Sequence, residues 1–155
     1  MATSALTGTL DESGVAYEVL PHAHTETAAD EAQALGIEPA DVAKTLVVKT
    51  PDGYVRAVVP ATHRLDLHKL RDRVGGGRHK VHLASEDDLR RDFADFELGA
   101  VPPFGGQRHP VVVDERVAAR QTIVLEAGSH DESVRMAAAD LIRATGAQVA
   151  DISEE

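Results

Sequence analysis

The fold is decided by one stretch of the sequence, Thr45-Leu46-Val47-Val48-Lys49-Thr50-Pro51-Asp52-Gly53-Tyr54-Val55-Arg56-Ala57-Val58-Val59. Residues 45–49 and 54–59 are rich in Val and other residues that favour strands. Between these runs, Pro51 presets its φ angle, Asp52 can hydrogen-bond to nearby backbone, and Gly53 accepts a positive φ. Two strand-like runs joined by such a turn predict a β-hairpin.

Shorter helices and strands are predicted on both sides of the hairpin. Gly14, Gly36 and the run Gly75-Gly76-Gly77 stand where helices end, and Ser85 stands where a helix begins. The predicted helices cover residues 4–13, 25–35, 66–71 and a segment starting at 85, and the predicted strands cover 17–20, 110–113 and 122–126. This alternation predicts an α+β domain with a largely antiparallel sheet.

A last helix is predicted from a periodic set of apolar residues. The set lies at helical spacing and forms one face: Val134, Ala137, Ala138, Leu141 and Ile142. The segment Ser129-His130-Asp131-Glu132 fits a capping box, so we expect this helix to begin at Ser129.

Composition limits the classes of protein to consider. With 155 residues, of which 43 % are hydrophobic, one domain over residues 1–155 is expected. The chain has no cysteine, which excludes disulfides and cysteine-based zinc sites. His22 and His24 have no matching cluster of ligands, so no metal or other cofactor is expected. Neither a membrane span nor a secretory signal is legible, and a cytoplasmic location is expected.

The charge balance disfavours broad contact with nucleic acid. A net charge of -10 opposes extended phosphate binding, and an aromatic content of 3 % leaves few residues for base stacking. A local pocket for one or two phosphates remains open. The most concentrated basic stretch offers the candidates for an RNA contact: Arg56, Arg64, Lys69, Arg71, Arg73, Arg78 and Lys80.

A loop rich in glycine and proline is the main candidate for a ligand site. Gly99-Ala100-Val101-Pro102-Pro103-Phe104-Gly105-Gly106 holds three glycines and two prolines in eight residues. Proline fixes φ and lacks an N–H, whereas glycine lets other groups approach the backbone. The pattern predicts a loop of preset shape that presents backbone N–H groups.

Lys44 and His130 are the candidate side chains beside this loop. Lys44 precedes an apolar run, where a lysine either extends to solvent or reaches into a pocket. His130 would lie in the first turn of the last helix, where the helix dipole favours a neutral imidazole, or it fills space there. Together they suit electrostatic stabilisation of an acyl or phosphoryl group better than covalent catalysis.

Three segments in this order resemble the YbaK/EbsC family, which is related to the editing domain of bacterial prolyl-tRNA synthetase. They are Val42-Ala43-Lys44-Thr45-Leu46, residues 99–105 and Ala127-Gly128-Ser129-His130. The resemblance extends over most of the chain and implies a curved sheet flanked by helices. It also implies hydrolysis of the ester that joins a wrong amino acid to the 3′ end of a tRNA, without a metal.

The resemblance also assigns roles. Lys44 matches the family's lysine, residues 99–103 match its Gly-x-x-x-Pro loop, and His130 matches a histidine of some subgroups. Lys44, Gly99 and His130 are therefore the predicted catalytic residues. The predicted substrate-binding residues are Thr45, Ala100, Val101, Pro102, Pro103, Phe104, Gly128 and Ser129. Of these, Phe104 and Thr45 are expected to form the wall that selects a small amino acid such as Ala, Ser or Cys.

The expected partners are the acceptor end of an aminoacyl-tRNA, on tRNA-Pro among others, and an aminoacyl-tRNA synthetase. Many family members carry a Thr-Gly pair shortly before the loop, whereas this chain has Phe93-Ala94-Asp95-Phe96-Glu97-Leu98. The amino acid removed and the oligomeric state stay open. The alternative function is a module of the same fold that binds an aminoacyl group or a nucleotide without turnover, or that regulates a partner.

Overall fold

The computed structural model describes residues 4–74, 80–105 and 107–155. The predicted turn Gly75-Gly76-Gly77 and Gly106 lie outside these residues. The helices are α1 (Ser4–Ser13), α2 (Ala28–Leu35), α3 (Leu67–Val74), α4 (Glu86–Asp92), α5 (Glu115–Ala118) and α6 (Ala138–Thr145), with a 3₁₀ turn at Pro39–Asp41. The strands are β1 (Tyr17–Pro21), β2 (Ala43–Thr50), β3 (Gly53–Pro60), β4 (His82–Leu83), β5 (Val111–Asp114), β6 (Thr122–Ser129), β7 (Glu132–Ala137) and β8 (Gln148–Ala150).

The predicted hairpin is confirmed, and both of its strands are longer than the predicted ranges 45–49 and 54–59. Strands β2 and β3 pair antiparallel from Ala43 opposite Pro60 to Thr50 opposite Gly53. The hydroxyl of Thr50 donates to the carbonyl of Gly53 at 2.9 Å and accepts from the N–H of Asp52 at 3.2 Å. These bonds satisfy backbone groups that the turn leaves out of the strand ladder.

The α+β class is confirmed, with two sheets in place of the one that was expected. The larger sheet has five strands in the order β4-β2-β3-β5-β8, and its β3–β5 and β5–β8 pairings are parallel. The smaller sheet has three antiparallel strands in the order β1-β7-β6. Largely antiparallel pairing therefore describes the smaller sheet and one half of the larger.

Most predicted helix ends are confirmed. Gly36 takes φ +66° and ends α2 in the left-handed conformation that glycine tolerates, as predicted, and Gly146, which was not predicted, ends α6 in the same way. Ser85 caps α4 through a complete capping box with Asp88. Helix α2 begins at Ala28, three residues later than predicted, because Thr27 is its N-cap and accepts from the N–H of Asp30.

The predicted start of the last helix is wrong. Residues 132–137 form β7, and His130 and Asp131 are the two-residue turn of the hairpin that joins β6 to β7. Val134 and Met136 are buried and Arg135 between them is more exposed, which is the alternation of a strand. Pairing with a strand on each side outweighs the helical spacing that this segment shares with α6. Only the later part of the face, from Ala138 onward, is helical.

The two sheets meet at a seam between β2 and β6. Val42, just before β2, forms a parallel bridge with Val124 of β6. Both side chains are buried and pack with Ala32 of α2. Lys44 follows Val42 by two residues, and Glu126 follows Val124 by two residues. Because the two strands run parallel, Lys44 and Glu126 lie opposite each other across the seam.

A buried arginine fixes the glycine-proline loop to the larger sheet. Arg56 on β3 is 1 % exposed, and its guanidinium donates to the carbonyl oxygens of Pro102 at 2.9 Å, Gly105 at 2.8 Å and Gln107 at 2.8 Å. The ring of Phe93 lies 5.2 Å from its guanidinium carbon. Burial lowers the pKa of Arg56 to about 10, which still leaves it a cation at neutral pH.

Among the described helices, none combines the length and the apolar character needed to cross a bilayer.

Replacing Arg56 tests whether it holds the loop. Arg56→Met keeps much of the side-chain volume but leaves buried carbonyl oxygens without donors, so we expect the free energy of unfolding to fall by about 2–4 kcal/mol. Urea denaturation measures this change. The matched control is Arg90→Met, because Arg90 makes only exposed ion pairs with Glu86 and Asp87. Arg90→Met should change the free energy of unfolding by no more than about 0.5 kcal/mol. Equal losses in both variants would contradict the role given to Arg56.

Candidate functional site

One cavity brings the predicted lysine and the glycine-proline loop together. It has a volume of about 280 Å³ and opens at the seam between the two sheets. Its lining includes Lys44 and Thr45 of β2, Gly99 and Val101 of the loop, and Glu126 of β6. The first residues of α2 close a further side. The site is therefore assembled from segments that lie far apart in the sequence.

Lys44 is the cation of this cavity. Its side chain is half-buried, and burial together with the nearby Arg64 guanidinium holds its pKa below the usual lysine value. Among the described residues, no carboxylate lies within 4.0 Å of its Nζ. A half-buried ammonium without a counter-ion is available to a phosphate or to a polarised carbonyl of a ligand.

The backbone of the loop offers two N–H groups to the cavity. The Ala100 N–H donates to the Glu97 carbonyl at 3.0 Å, and Gly99 has φ +84°, which together define a type II turn. The Ala100 donor is thus already used. Within the part of the chain that the structure describes, the N–H groups of Gly99 and Val101 have no acceptor, and both residues line the cavity.

His130 holds this turn in place. Its Nε2–H donates to the Leu98 carbonyl oxygen at 2.6 Å. Because the C=O and N–H of a trans peptide point in opposite directions, anchoring that oxygen aims the Gly99 N–H away from His130. A Cβ atom built on Gly99 would lie 3.5 Å from Cε1 of His130. The imidazole therefore orients one of the two free N–H groups.

The position of His130 differs from the sequence prediction. It lies in the β6–β7 turn and is 4 % exposed, so the helix dipole invoked for it is absent. Its Nδ1 lies 3.8 Å from Oε1 of Glu126 and has no hydrogen-bond partner among the described residues. The ring also packs edge-on against His24, with centroids 5.4 Å apart.

Sequence reasoning missed Glu126. It is 8 % exposed and lines the cavity, and no Lys or Arg among the described residues lies within 4.0 Å of its carboxyl. Burial raises its pKa to about 9, and the carboxylates of Glu31, Glu97 and Glu26 add to the shift. Its signal in the sequence was one acidic residue inside the apolar strand Ile123-Val124-Leu125-Glu126-Ala127, a placement that is rare without a function.

Two predicted loop residues contact the core in place of the cavity. Phe104 is buried among core residues and lines a separate cavity of about 240 Å³ together with Arg56 and Pro103. The prediction that Phe104 forms a wall beside Lys44 is therefore wrong. Ala100 is fully buried. Thr45 does line the Lys44 cavity, as expected of a wall residue.

The remaining predicted binding residues support the loop from behind. The Pro102 carbonyl accepts from Arg56. The Gly128 carbonyl accepts from the Glu97 N–H at 2.8 Å, and the Ser129 hydroxyl donates to Asp131 at 2.6 Å. None of the three is part of the cavity lining, so contact with a substrate remains only a prediction for them.

The basic stretch is not one continuous surface. Arg56 is buried and unavailable to RNA, which corrects its place among the candidates. Lys69 donates to Asp151 at 3.0 Å and to the carbonyl of Ser153 at 2.8 Å. Arg78 lies outside the described residues. Arg64 lines a shallow depression that Lys44 also borders, which makes it the member of this stretch nearest the cavity.

Among the described residues, no three or more His, Asp or Glu side chains are grouped so that they could hold a metal ion.

Comparison with known proteins identifies the family. The family model of the aminoacyl-tRNA editing domain matches residues 22–144. The chain is 30 % identical over 123 residues to a Cys-tRNA(Pro)/Cys-tRNA(Cys) deacylase candidate, EbsC of Enterococcus faecalis, covering 79 % of this chain and 74 % of that protein. It is 27 % identical over 115 residues to a proline–tRNA ligase of Thermosipho melanesiensis, covering 74 % of this chain but only 20 % of the ligase.

Solved structures share the fold over nearly the whole chain. The crystal structure of a candidate trans-editing enzyme for prolyl tRNA synthetase superposes with a TM-score of 0.87 at 30 % identity, covering 97 % of this chain and 96 % of the other. A hypothetical protein superposes with a TM-score of 0.88 at 26 % identity, covering 97 % and 100 %.

The raised pKa of Glu126 predicts a pH-dependent cost to stability. A carboxyl with a pKa of about 9 in the folded state and about 4.3 in the unfolded state makes the fold lose stability as pH rises between those values, by at most about 1.4 kcal/mol per pH unit. Glu126→Gln removes this titration while keeping the shape. We expect the variant's melting temperature to exceed that of the wild type by a margin that widens from pH 5 to pH 9. A margin that stays constant over this range would contradict a buried, protonated Glu126.

Proposed function

Because this chain belongs to the family of aminoacyl-tRNA editing domains, we propose that it hydrolyses the ester of a mischarged aminoacyl-tRNA as a free-standing enzyme. The proposed acyl groups are small amino acids such as Ala, Ser and Cys, with tRNA-Pro as one carrier. The observation that carries the proposal is one cavity lined both by Lys44, which has no carboxylate partner among the described residues, and by Gly99 and Val101, whose N–H groups have no acceptor among them.

Stabilisation of the developing oxyanion is the first element of the proposed mechanism. An aminoacyl ester is already activated, so positioning and electrostatics contribute more than a strong base. Water attacks the carbonyl carbon, and the carbonyl oxygen becomes negative between the N–H groups of Gly99 and Val101. The ester C–O bond then breaks, and the ribose oxygen leaves as a hydroxyl. No metal enters this proposed sequence.

Lys44 holds the substrate in the second element of the mechanism. Its ammonium binds either the phosphate of the terminal nucleotide or the carbonyl oxygen itself. Arg64, which borders Lys44, extends the positive region toward solvent and supports the phosphate assignment. Burial and Arg64 hold the pKa of Lys44 below the usual lysine value, and a bound anion stabilises its charged form.

The attacking water is oriented by the substrate's own ribose hydroxyl in this proposal. His130 was the alternative, but its Nε2–H is committed to the Leu98 carbonyl and its Nδ1 faces Glu126 inside the protein. The imidazole is therefore a positioning residue for the Gly99 N–H. In this mechanism the substrate orients the water and the protein stabilises the oxyanion, so the reaction does not need a nucleophilic cysteine.

Selection for small acyl groups follows from the cavity size. About 280 Å³ must hold the acyl group and part of the terminal nucleotide, so a long side chain has no room. Thr45 and Val101 are the proposed wall residues. A hydrophobic wall separates substrates that differ by one methylene by only about 1–3 kcal/mol, so rejection has to be steric.

The acidity of the chain favours a second candidate function. A net charge of -10 is unusual for a protein that binds tRNA unaided. It supports either a synthetase partner that supplies the RNA contact or a module that binds an aminoacyl group without turnover. In both cases we propose a cytoplasmic location, where tRNA is charged.

A deacylation panel tests the proposal and separates the two candidates. Ala-, Ser-, Cys- and Pro-charged tRNA-Pro are each incubated with the protein, and the loss of the acyl group is followed over time. We expect cleavage of at least one small amino acid and no cleavage of Pro. Lys44→Ala should lower kcat/KM about 100-fold or more, because it removes a charged contact to the reacting group.

Two further variants control that experiment. Lys49→Ala removes a lysine of the same strand whose ammonium instead pairs with Asp88 at 3.3 Å, and it should keep activity within about twofold. Gly99→Ala places a side chain at φ +84° against His130 and should lower kcat without unfolding the protein. Full activity of Lys44→Ala on every cleaved substrate would overturn the mechanism, and cleavage of none of the substrates would favour the binding module.

A further inference from the structure

Glu126 is a buried acid that no hydrogen bond from the described residues holds in place. Its Oε2 has no hydrogen-bond partner among the described residues, and Oε1 lies 3.8 Å from His130 Nδ1, beyond hydrogen-bond distance. The neighbours Leu125 and Ala127 on the same strand are fully buried apolar residues. An apolar residue at position 126 would satisfy the packing at lower cost, so the carboxyl is kept for another reason.

The surroundings of Glu126 are acidic. Glu26, from the segment before α2, Glu31 on α2, and Glu97, before the loop, all act on its carboxyl by charge repulsion. His130, from the β6–β7 turn, is the remaining titratable neighbour, and its protonated Nε2 is turned toward Leu98. The charges that act on the carboxyl are therefore those of three acids, and the local field attracts a cation.

The cavity is lined by a lysine from one sheet and by a glutamic acid from the other. Lys44 and Glu126 lie level across the seam between β2 and β6, and both line the cavity. They form no ion pair within 4.0 Å, and Lys44 does not appear among the charges that act on Glu126. Gly99 and Val101 line the same cavity with their free N–H groups. A ligand with an anionic or carbonyl end and a cationic end fits this distribution.

We propose that Glu126 is the specificity residue that recognises the α-ammonium group of the aminoacyl substrate, an inference that rests on the proposed function. The ammonium nitrogen is two bonds from the carbonyl carbon, so a carbonyl held by the Gly99 backbone brings it into the same small cavity. On binding, Glu126 releases its proton to solvent and its carboxylate accepts hydrogen bonds from the ammonium. One proton is released for each ligand bound, and charge is balanced inside the cavity.

The acid also gives the site a criterion besides size. An acyl group without an α-ammonium, such as an N-acylated amino acid, leaves Glu126 buried without a cation. The complex with such a ligand contains an unpaired buried group, and this makes its binding free energy less favourable. Thr45 and Val101 exclude acyl groups with long side chains, whereas Glu126 favours acyl groups that carry a free α-ammonium group.

The experiment compares two stable analogues of the acceptor end. One is 3′-deoxy-3′-(L-alanylamino)adenosine, and the other is its propanoyl counterpart, which lacks only the amine. Isothermal titration at pH 7.5 in phosphate and in Tris gives both the affinity and the number of protons released. We expect the wild type to bind the alanyl probe about tenfold tighter or more, with release of about one proton.

The variants decide whether Glu126 causes that preference. Glu126→Gln, and Glu126→Met as a second variant that also tolerates burial, should bring the affinity ratio of the two probes close to one and abolish proton release. Glu115→Gln, at an exposed position on α5 outside the cavity, should leave the ratio as in the wild type. A ratio retained in both Glu126 variants, no preference in the wild type, or no binding of either probe overturns the inference.

The outcome is separable from that of the deacylation panel. A Glu126-dependent preference for the alanyl probe in a protein that cleaves no aminoacyl-tRNA refutes the proposed hydrolysis and supports ammonium recognition. Cleavage of aminoacyl-tRNA by a protein that shows no preference refutes ammonium recognition and supports the hydrolysis.

Discussion

The hydrogen bonds from Arg56 to the carbonyl groups of the glycine-proline loop are the constraint on which the candidate site depends. The loop has neither helix nor strand of its own, so its backbone groups need partners from elsewhere. One guanidinium on the central hairpin supplies donors for Pro102, Gly105 and Gln107. Its planar fork can serve several acceptors in a fixed geometry, which a lysine ammonium cannot do. These hydrogen bonds fix the position of the loop relative to β3.

The other end of the loop is fixed from the smaller sheet. The β6–β7 turn supplies His130, whose Nε2–H donates to the Leu98 carbonyl, and β6 supplies Gly128, whose carbonyl accepts from the Glu97 N–H. Arg56 thus ties the loop to one sheet, while His130 and Gly128 tie it to the other. Because the seam at Val42 and Val124 joins the same two sheets, the cavity forms wherever both anchors and the seam are in place.

Local chemistry explains what could be predicted from the sequence. The hairpin, the glycine that ends α2, the serine that caps α4 and the shape of the loop depend on a few neighbouring residues whose preferences are strong. Strand β7 escaped prediction because its conformation is decided by pairing with β1, where Val134 lies opposite Val19. The role of Arg56 could not be predicted either. Its acceptors are main-chain carbonyl groups, which every residue has, so the sequence does not show which residues Arg56 contacts. Lys44 and the glycine-proline loop were singled out from residue type and received their roles from the resemblance, whereas Glu126 was recognised only from the cavity that it lines.

The loop acts on the cavity through main-chain atoms, and this constrains how specificity can change over evolutionary time. A backbone N–H is common to all residues but proline, so drift at Ala100 or Val101 can alter bulk without deleting a donor, whereas Gly99 is confined by its positive φ. The side chains that give the cavity its shape and charge come from β2, β6 and the start of α2. New acyl preferences are therefore expected to arise at positions such as Thr45 and Ala28, while the loop sequence diverges around an unchanged path of the chain.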